Sequence, residues 1–191
     1  SVETKEQLVP LKSDRTSYTG VVYDFRLNSM TGSYIDFPGH IRETNNGIHA
    51  GNFPLSDLYR VPATLLRPKR SGNGIRPEEL IQAHGNFPPT PCLVIHGKSD
   101  STVSLISREI FLTMEAVDWI IDYGCKLIVS DTYESQYLDG VFLKLFRAGI
   151  STICMPVNLD KLSSRNLKIT VFTPLINGIF QIPCRIAAEF E

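Results

Sequence analysis

No apolar run in this chain approaches the ~20 residues that cross a bilayer as a helix; stretches such as Val171–Phe172 and Ile179–Phe180 are far too short. Neither charge sign is in excess. Nineteen Lys and Arg against 20 Asp and Glu leave a formal net charge of −1, so there is no basic stripe for nucleic acid and no polybasic run for an anionic membrane. Nucleic acid and membrane are therefore not expected as partners. Cysteine is sparse: Cys92, Cys125, Cys154 and Cys184 stand far apart with no CxxC. That spacing excludes a thiolate zinc motif, and a disulfide framework is not expected in a chain of this length. The four read as reduced thiols filling a core, in a cytoplasmic compartment. The opening residues Ser1 to Glu6 are polar and do not resemble a secretory leader. Internal repeats and low-complexity tracts are missing too.

What is present is an ordinary globular composition. Hydrophobic residues make up 42% and charged residues 20% of 191, enough for one domain over 1–191 with a sizeable core. Residues 1–16 read as an extended arm. Val21–Leu27 alternates like a strand, 33–36 is a short strand candidate inside a Gly- and Asn-rich loop, and Val61–Leu66 is another strand. These early strands have hairpin-like spacing. Pro77 opens a short helix, proline being tolerated in a first turn. Pro91–His96 reads as a buried strand and 99–107 as loop. Thr113 is an N-cap for an amphipathic helix that Gly124 ends. A strand at Lys126–Ser130, a helix at Gly140–Ala148, and strands at Ile150–Cys154, Leu167–Pro174 and Ile182–Ala187 complete the pattern. The alternation after residue 90 predicts a parallel section with crossover helices. The expected class is α/β, with one mixed sheet and flanking helices.

The segment Met30-Thr31-Gly32-Ser33-Tyr34-Ile35-Asp36-Phe37-Pro38-Gly39-His40 concentrates unusual residues. Asp36 and His40 stand four apart across a Pro-Gly turn, which can fold the imidazole back beside the carboxylate. A carboxylate that holds one imidazole tautomer is half of a general acid–base system. The same residues also describe an Asx-turn with a surface histidine. Elsewhere, His96 ends a buried strand, His84 follows a helix where it can meet terminal carbonyls, and His49 lies on a loop. Gly97-Lys98-Ser99 lacks the earlier glycine of a P-loop, since Cys92 occupies that position.

The eleven-residue segment resembles the H-x-G-T-H-x-D-x-P-x-H signature of the cyclase / kynurenine-formamidase-like family, with Gly32, Asp36, Pro38 and His40 matching and Ser33 replacing Thr. Glu115 to Ile120 followed by Gly124 to Thr132 is similar to the family's helix and G-x-K-x-x-G-I-D-T segment. The likeness extends over about residues 20–188. It implies a swivelling β/β/α domain, a homodimer or higher homo-oligomer, and zinc- or manganese-dependent hydrolysis of small amides or lactones. Carried over residue by residue, it places metal ligands at Met30, Tyr34, Asp36, Phe142 and Cys154, and an acid–base histidine at His40. Four of these five ligand positions have changed, and Met30 and Phe142 cannot serve as donors, so no bound metal is expected. The resulting expectation is a metal-independent, arylformamidase-like hydrolase or cyclase. His40, Asp36, Tyr34 and Cys154 would be its catalytic residues, and Met30, Ser33, Phe142 and His96 would contact a small-molecule ligand. The alternative is an inactive pseudoenzyme that binds a small molecule or serves as an assembly subunit.

Overall fold

The structure is a computed structural model and describes residues 2–98 and 108–190. The loop expected at 99–107 lies outside the described residues. Two ten-residue strands, β1 (Glu3–Lys12) and β2 (Ser17–Arg26), pair antiparallel as a separate hairpin. The arm expected at 1–16 is thus the first half of a ribbon. Next come β3 (Tyr34–Asp36), β4 (Val61–Leu66), β5 (Gly74–Ile75) and helix α1 (Pro77–His84). They are followed by β6 (Cys92–Ile95), β7 (Phe111–Leu112), α2 (Met114–Tyr123), β8 (Leu127–Ser130) and α3 (Val141–Arg147). The last elements are β9 (Ser151–Cys154), β10 (Asn166–Phe172), β11 (Gln181–Pro183) and β12 (Arg185–Phe190).

Eight of these strands form one mixed sheet in the order β11-β3-β9-β8-β6-β4-β10-β12. Its centre, β4-β6-β8-β9, is parallel, and the outer pairings are antiparallel. Parallel strands covered on both faces read as continuous apolar runs, and these do: Leu93, Ile95 and Ile128 face one core, while Cys92, Val94, Leu127 and Val129 face the other. The first core lies under the helices, against Leu80, Val117, Ile120 and Leu145. The second packs against Phe37, Leu58, Leu159 and the antiparallel wings.

Three expectations change. The strand expected over Ile182–Ala187 is two strands split at Cys184, and they lie on opposite edges of the sheet. Because one residue joins the two edges, the sheet must curl until they meet. Hairpin pairing holds for β1 and β2 only: β3 pairs with β9 and β11, and β4 with β6 and β10. The two-residue parallel pair β5–β7 had no counterpart in the sequence reading. The caps behave as expected. Thr113 Oγ1 accepts from Ala116 N at 3.2 Å, and Gly124 takes the left-handed φ of 82° that ends α2. No helix among the described residues is long and apolar enough to cross a membrane.

Candidate functional site

β3 pairs with β9 so that Tyr34 lies opposite Cys154 and Asp36 opposite Thr152. Side chains alternate across a strand, so Tyr34, Asp36 and Cys154 share the helix-facing side. A cavity of about 360 Å³ opens there. Tyr34 and Cys154 are buried in it, Phe142 and Ile110 form apolar walls, and Met30 and Arg108 are exposed at its margin. Residues 130–134 line another side. Met30, Tyr34, Phe142 and Cys154, which come from four separate elements or loops, therefore converge on one cavity.

Two backbone details shape it. Met155 adopts a left-handed φ of 55°, unusual for a side-chain-bearing residue, and its carbonyl accepts from Ser33 Oγ at 2.8 Å. Ser33 does not line the cavity; it ties the loop before β3 to the end of β9. The N-cap position before helix α3 is Gly140, which has no side chain to cap it. Buried Glu134 does so instead, its Oε2 accepting from Val141 N at 2.9 Å and from Gly140 N at 3.2 Å.

Behind the cavity lies Asp36, 3% exposed. Its Oδ2 accepts from the Cys154 thiol at 3.5 Å, while buried Oδ1 has no hydrogen-bond partner among the described residues. Burial raises its carboxyl to about 6, with the charge of His40 opposing the rise. Burial and the Asp36 charge push the Cys154 thiol well above its ordinary value, and burial followed by Cys154 does the same for the Tyr34 hydroxyl. Tyr34 therefore stays a proton donor at neutral pH, and Cys154 stays a thiol instead of the thiolate that nucleophilic attack needs.

His40 lies outside the cavity. The turn Pro38–His40 carries it under α3, where its ring packs edge-on to Phe146 with centroids 6.4 Å apart. Gly39 is required there because a Cβ would enter the Phe180 ring. No hydrogen bond joins His40 to Asp36. Gln181, opposite Asp36 on β11, comes between them, with its Nε2 at 3.4 Å from His40 Nε2 and its Oε1 accepting from Ser29 Oγ at 2.6 Å. The sequence reading missed Gln181, which lies 141 residues from His40. Only the closing strand's pairing with β3 could have revealed it.

His96 also lies off this cavity. Its partner Asp131 bridges the difference by lining the Tyr34 cavity while bonding His96. His84 makes the expected terminal contact, Nδ1 to Gly85 O at 3.2 Å, and His49 Nδ1 accepts from Gly51 N at 3.0 Å.

The model of the Cyclase family matches residues 4–136. The chain belongs to this family. No curated protein matches it. Among solved structures it is similar to a potential metal-dependent hydrolase with cyclase activity, at 17% identity and a TM-score of 0.70, covering 97% of this chain and 96% of that one. It is also similar to isatin hydrolase A from Labrenzia aggregata, bound to benzyl benzoate, at 16% identity and a TM-score of 0.71, covering 97% and 82%. A third, an isatin hydrolase bound to the product analogue thioisatinate, aligns at 15% identity and a TM-score of 0.71, covering 97% and 81%. At these identities the likeness establishes the shared fold.

A zinc or manganese ion of the kind the family implies needs three or four converging imidazole, carboxylate or thiolate donors. Among the described residues no three His, Cys, Asp or Glu side chains converge. Of the positions where the family likeness puts ligands, Asp36 and Cys154 touch, which makes two donors where three or four are needed. The residues of this cyclase-family cavity do not fit such an ion.

Proposed function

We propose that this cyclase-family protein binds a small cyclic or aryl amide or lactone in the Tyr34–Cys154 cavity, without a metal ion. The observation that carries the reading is the convergence of Met30, Tyr34, Phe142 and Cys154 on one cavity. Its apolar walls and its protonated phenol suit an aromatic carbonyl compound. Tyr34 donates to the carbonyl oxygen, Phe142 packs on the ring, and Arg108 at the margin favours an acidic substituent. The test is titration with isatin and with an N-formyl aryl amine, followed by protein fluorescence. Saturable binding without turnover is expected, with Tyr34→Phe weakening it by about three- to tenfold. Binding unchanged in Tyr34→Phe would sink the assignment of the cavity.

A second reading rests on Asp36. A carboxyl raised to about 6, with an unsatisfied oxygen directly behind the cavity, is matched to general-base work near neutral pH. In that reading the protein is a metal-independent, arylformamidase-type hydrolase. Asp36 draws, through the Cys154 thiol, a proton from a water that attacks the carbonyl polarised by Tyr34; the carbonyl carbon's bond to the leaving nitrogen or oxygen breaks as that proton passes on to it, and the charge of His40 acts on Asp36 from the far side. Turnover that is abolished in Asp36→Asn and retained in buffer with chelator supports this reading over the first.

We also propose that the β1–β2 ribbon docks on a second copy of this chain. Cross-strand pairing puts Leu8, Val21, Tyr23 and Phe25 on one face, and all four are 49–65% exposed. Pairs such as Glu3–Arg26 occupy the other face near the ribbon's base. An isolated two-stranded ribbon is at best marginal in water and needs a covering surface. At about 33 Å by about 10 Å it offers roughly 300 Å² per face. Two arms exchanged across a two-fold axis then bury roughly 1,200 Å² in total, the lower end of a specific interface. Sedimentation is expected to show a dimer that Leu8→Lys/Phe25→Glu converts to a folded monomer. A wild-type monomer at high concentration would overturn the exchange.

A further inference from the structure

A second cavity, of about 340 Å³, opens on the face of the sheet away from the helices. Val94 of β6, Val129 of β8 and Ile169 of β10 line it, together with Ile186, Ala188 and Phe190 of β12. Side chains alternate along β12, so these three turn toward the cavity while Arg185, Ala187 and Glu189 turn away. The connection between β9 and β10 supplies the remaining side. No lining residue is shared with the Tyr34 cavity, so the site stands independently of the function proposed there.

The lining is apolar except at one end. Only Asn158 and Lys161 bring polar side chains to it. Asn158 precedes the turn Leu159–Lys161, and Lys161 ends it. That turn is pinned from outside: Arg67 Nη2 donates to Leu159 O at 3.0 Å, to Asp160 O at 3.2 Å and to Leu162 O at 2.7 Å. Asn158 enters it with a left-handed φ of 61°, a conformation asparagine accepts more readily than most residues. The backbone of the polar end is thus set before any ligand arrives.

Charge at that end has one sign. The Lys161 ammonium has no hydrogen-bond or ion-pair partner among the described residues, and no carboxylate lines the cavity. Two carboxylates adjoin lining residues in the chain. Asp160 lines a different cavity, with Arg67, Lys69, Arg70 and His96, and Glu189 Oε2 pairs with Arg60 Nη2 at 3.1 Å. Asp160 keeps its charge next to Lys161, which holds the attraction for an anion to a modest size. One ammonium and one carboxamide suit a singly charged head, and the apolar lining suits a hydrocarbon body.

We propose that this cavity binds a small aliphatic monocarboxylate, its head at Lys161 and Asn158 and its tail over Val94, Val129 and Ile169. Ligand pockets run from about 300 to 1,000 Å³, and this one lies near the lower bound, which favours a short tail over a long acyl chain. Most of the affinity comes from the tail, at about fourfold for each CH₂ removed from water. The head fixes its direction.

The test is calorimetric titration of the full chain with octanoate, butyrate and octanol, with the Val94, Val129 and Ile110 methyl groups followed by NMR. Octanoate is expected to saturate, to shift Val94 and Val129 but not Ile110 of the Tyr34 cavity, and to bind more than tenfold tighter than butyrate. Lys161→Gln is expected to weaken octanoate by about threefold and to leave octanol unchanged. This variant alters an exposed side chain without a partner, so its fold is retained. Ala188→Phe fills the cavity and is expected to abolish octanoate binding, with circular dichroism reporting its fold. The proposal is overturned if octanoate fails to saturate, if octanol binds as tightly as octanoate, if Lys161→Gln binds octanoate like wild type, or if octanoate shifts Ile110 instead of Val94 and Val129.

Discussion

Urea denaturation is expected to show the folded protein losing about 3 kcal/mol as pH rises from about 4 through about 6, and Asp36→Asn is expected to remove that loss. The carboxyl of Asp36 is raised from its ordinary 3.8 to about 6, mainly by burial. Over that interval the folded chain holds a proton that the unfolded chain has released, so stability falls as pH rises. The shift corresponds to about 3 kcal/mol at 1.36 kcal/mol per pKa unit. Its contribution is fully present below the unfolded value and is spent once pH passes the folded one. Asp36→Asn keeps the shape and an acceptor for the Cys154 thiol but cannot ionise. The variant is therefore expected to match wild type near pH 4 and to exceed it at pH 7.5. Parallel pH profiles for the two proteins would show that Asp36 titrates normally.

The second large effect is a gain of function. Replacing Met30, Tyr34 and Phe142 with histidine and Cys154 with glutamate supplies borderline and hard donors at four positions that already face one cavity, with Asp36 in contact with position 154. Bound zinc is expected to rise from none in the wild-type protein to at least one per chain, and zinc is expected to raise the Tm of the variant only. Without metal the variant should be less stable than wild type by about 3 kcal/mol or more, because a buried glutamate has lost its compensating charge. A folded variant that takes up no zinc would show that these positions do not converge closely enough. Stoichiometric zinc in the wild-type protein would remove the metal-free reading altogether.

Legibility differed between elements for physical reasons. Val61–Leu66, Cys92–Ile95 and Leu127–Ser130 were readable as strands because burial on both faces leaves an unbroken apolar run between turn residues. Helix α2 was readable because Thr113 and Gly124 carry local capping chemistry at its two ends. The split at Cys184 was not readable, since Ile182-Pro183-Cys184-Arg185-Ile186 has the pattern of one strand. Only the pairing of its halves with β3 and β10 breaks it. In the site, the grouping of Met30, Tyr34, Phe142 and Cys154 came from the family likeness and needed coordinates to become a cavity. The His96–Asp131 pair carried a faint local signal: each residue directly follows a buried strand, and the parallel register Ile95↔Ser130 sets them side by side.

By itself the sequence determined the α/β class, the family and the loss of the expected donor types, because these depend on local periodicity and residue chemistry. Tertiary structure alone decided which polar groups meet. It curled the sheet so that Gln181 entered between Asp36 and His40, placed His40 outside the cavity, and turned His96 toward a separate one. Each of those placements depends on strand pairings between residues 35 to 149 positions apart, of which local pattern carries at most the faint trace seen for His96 and Asp131.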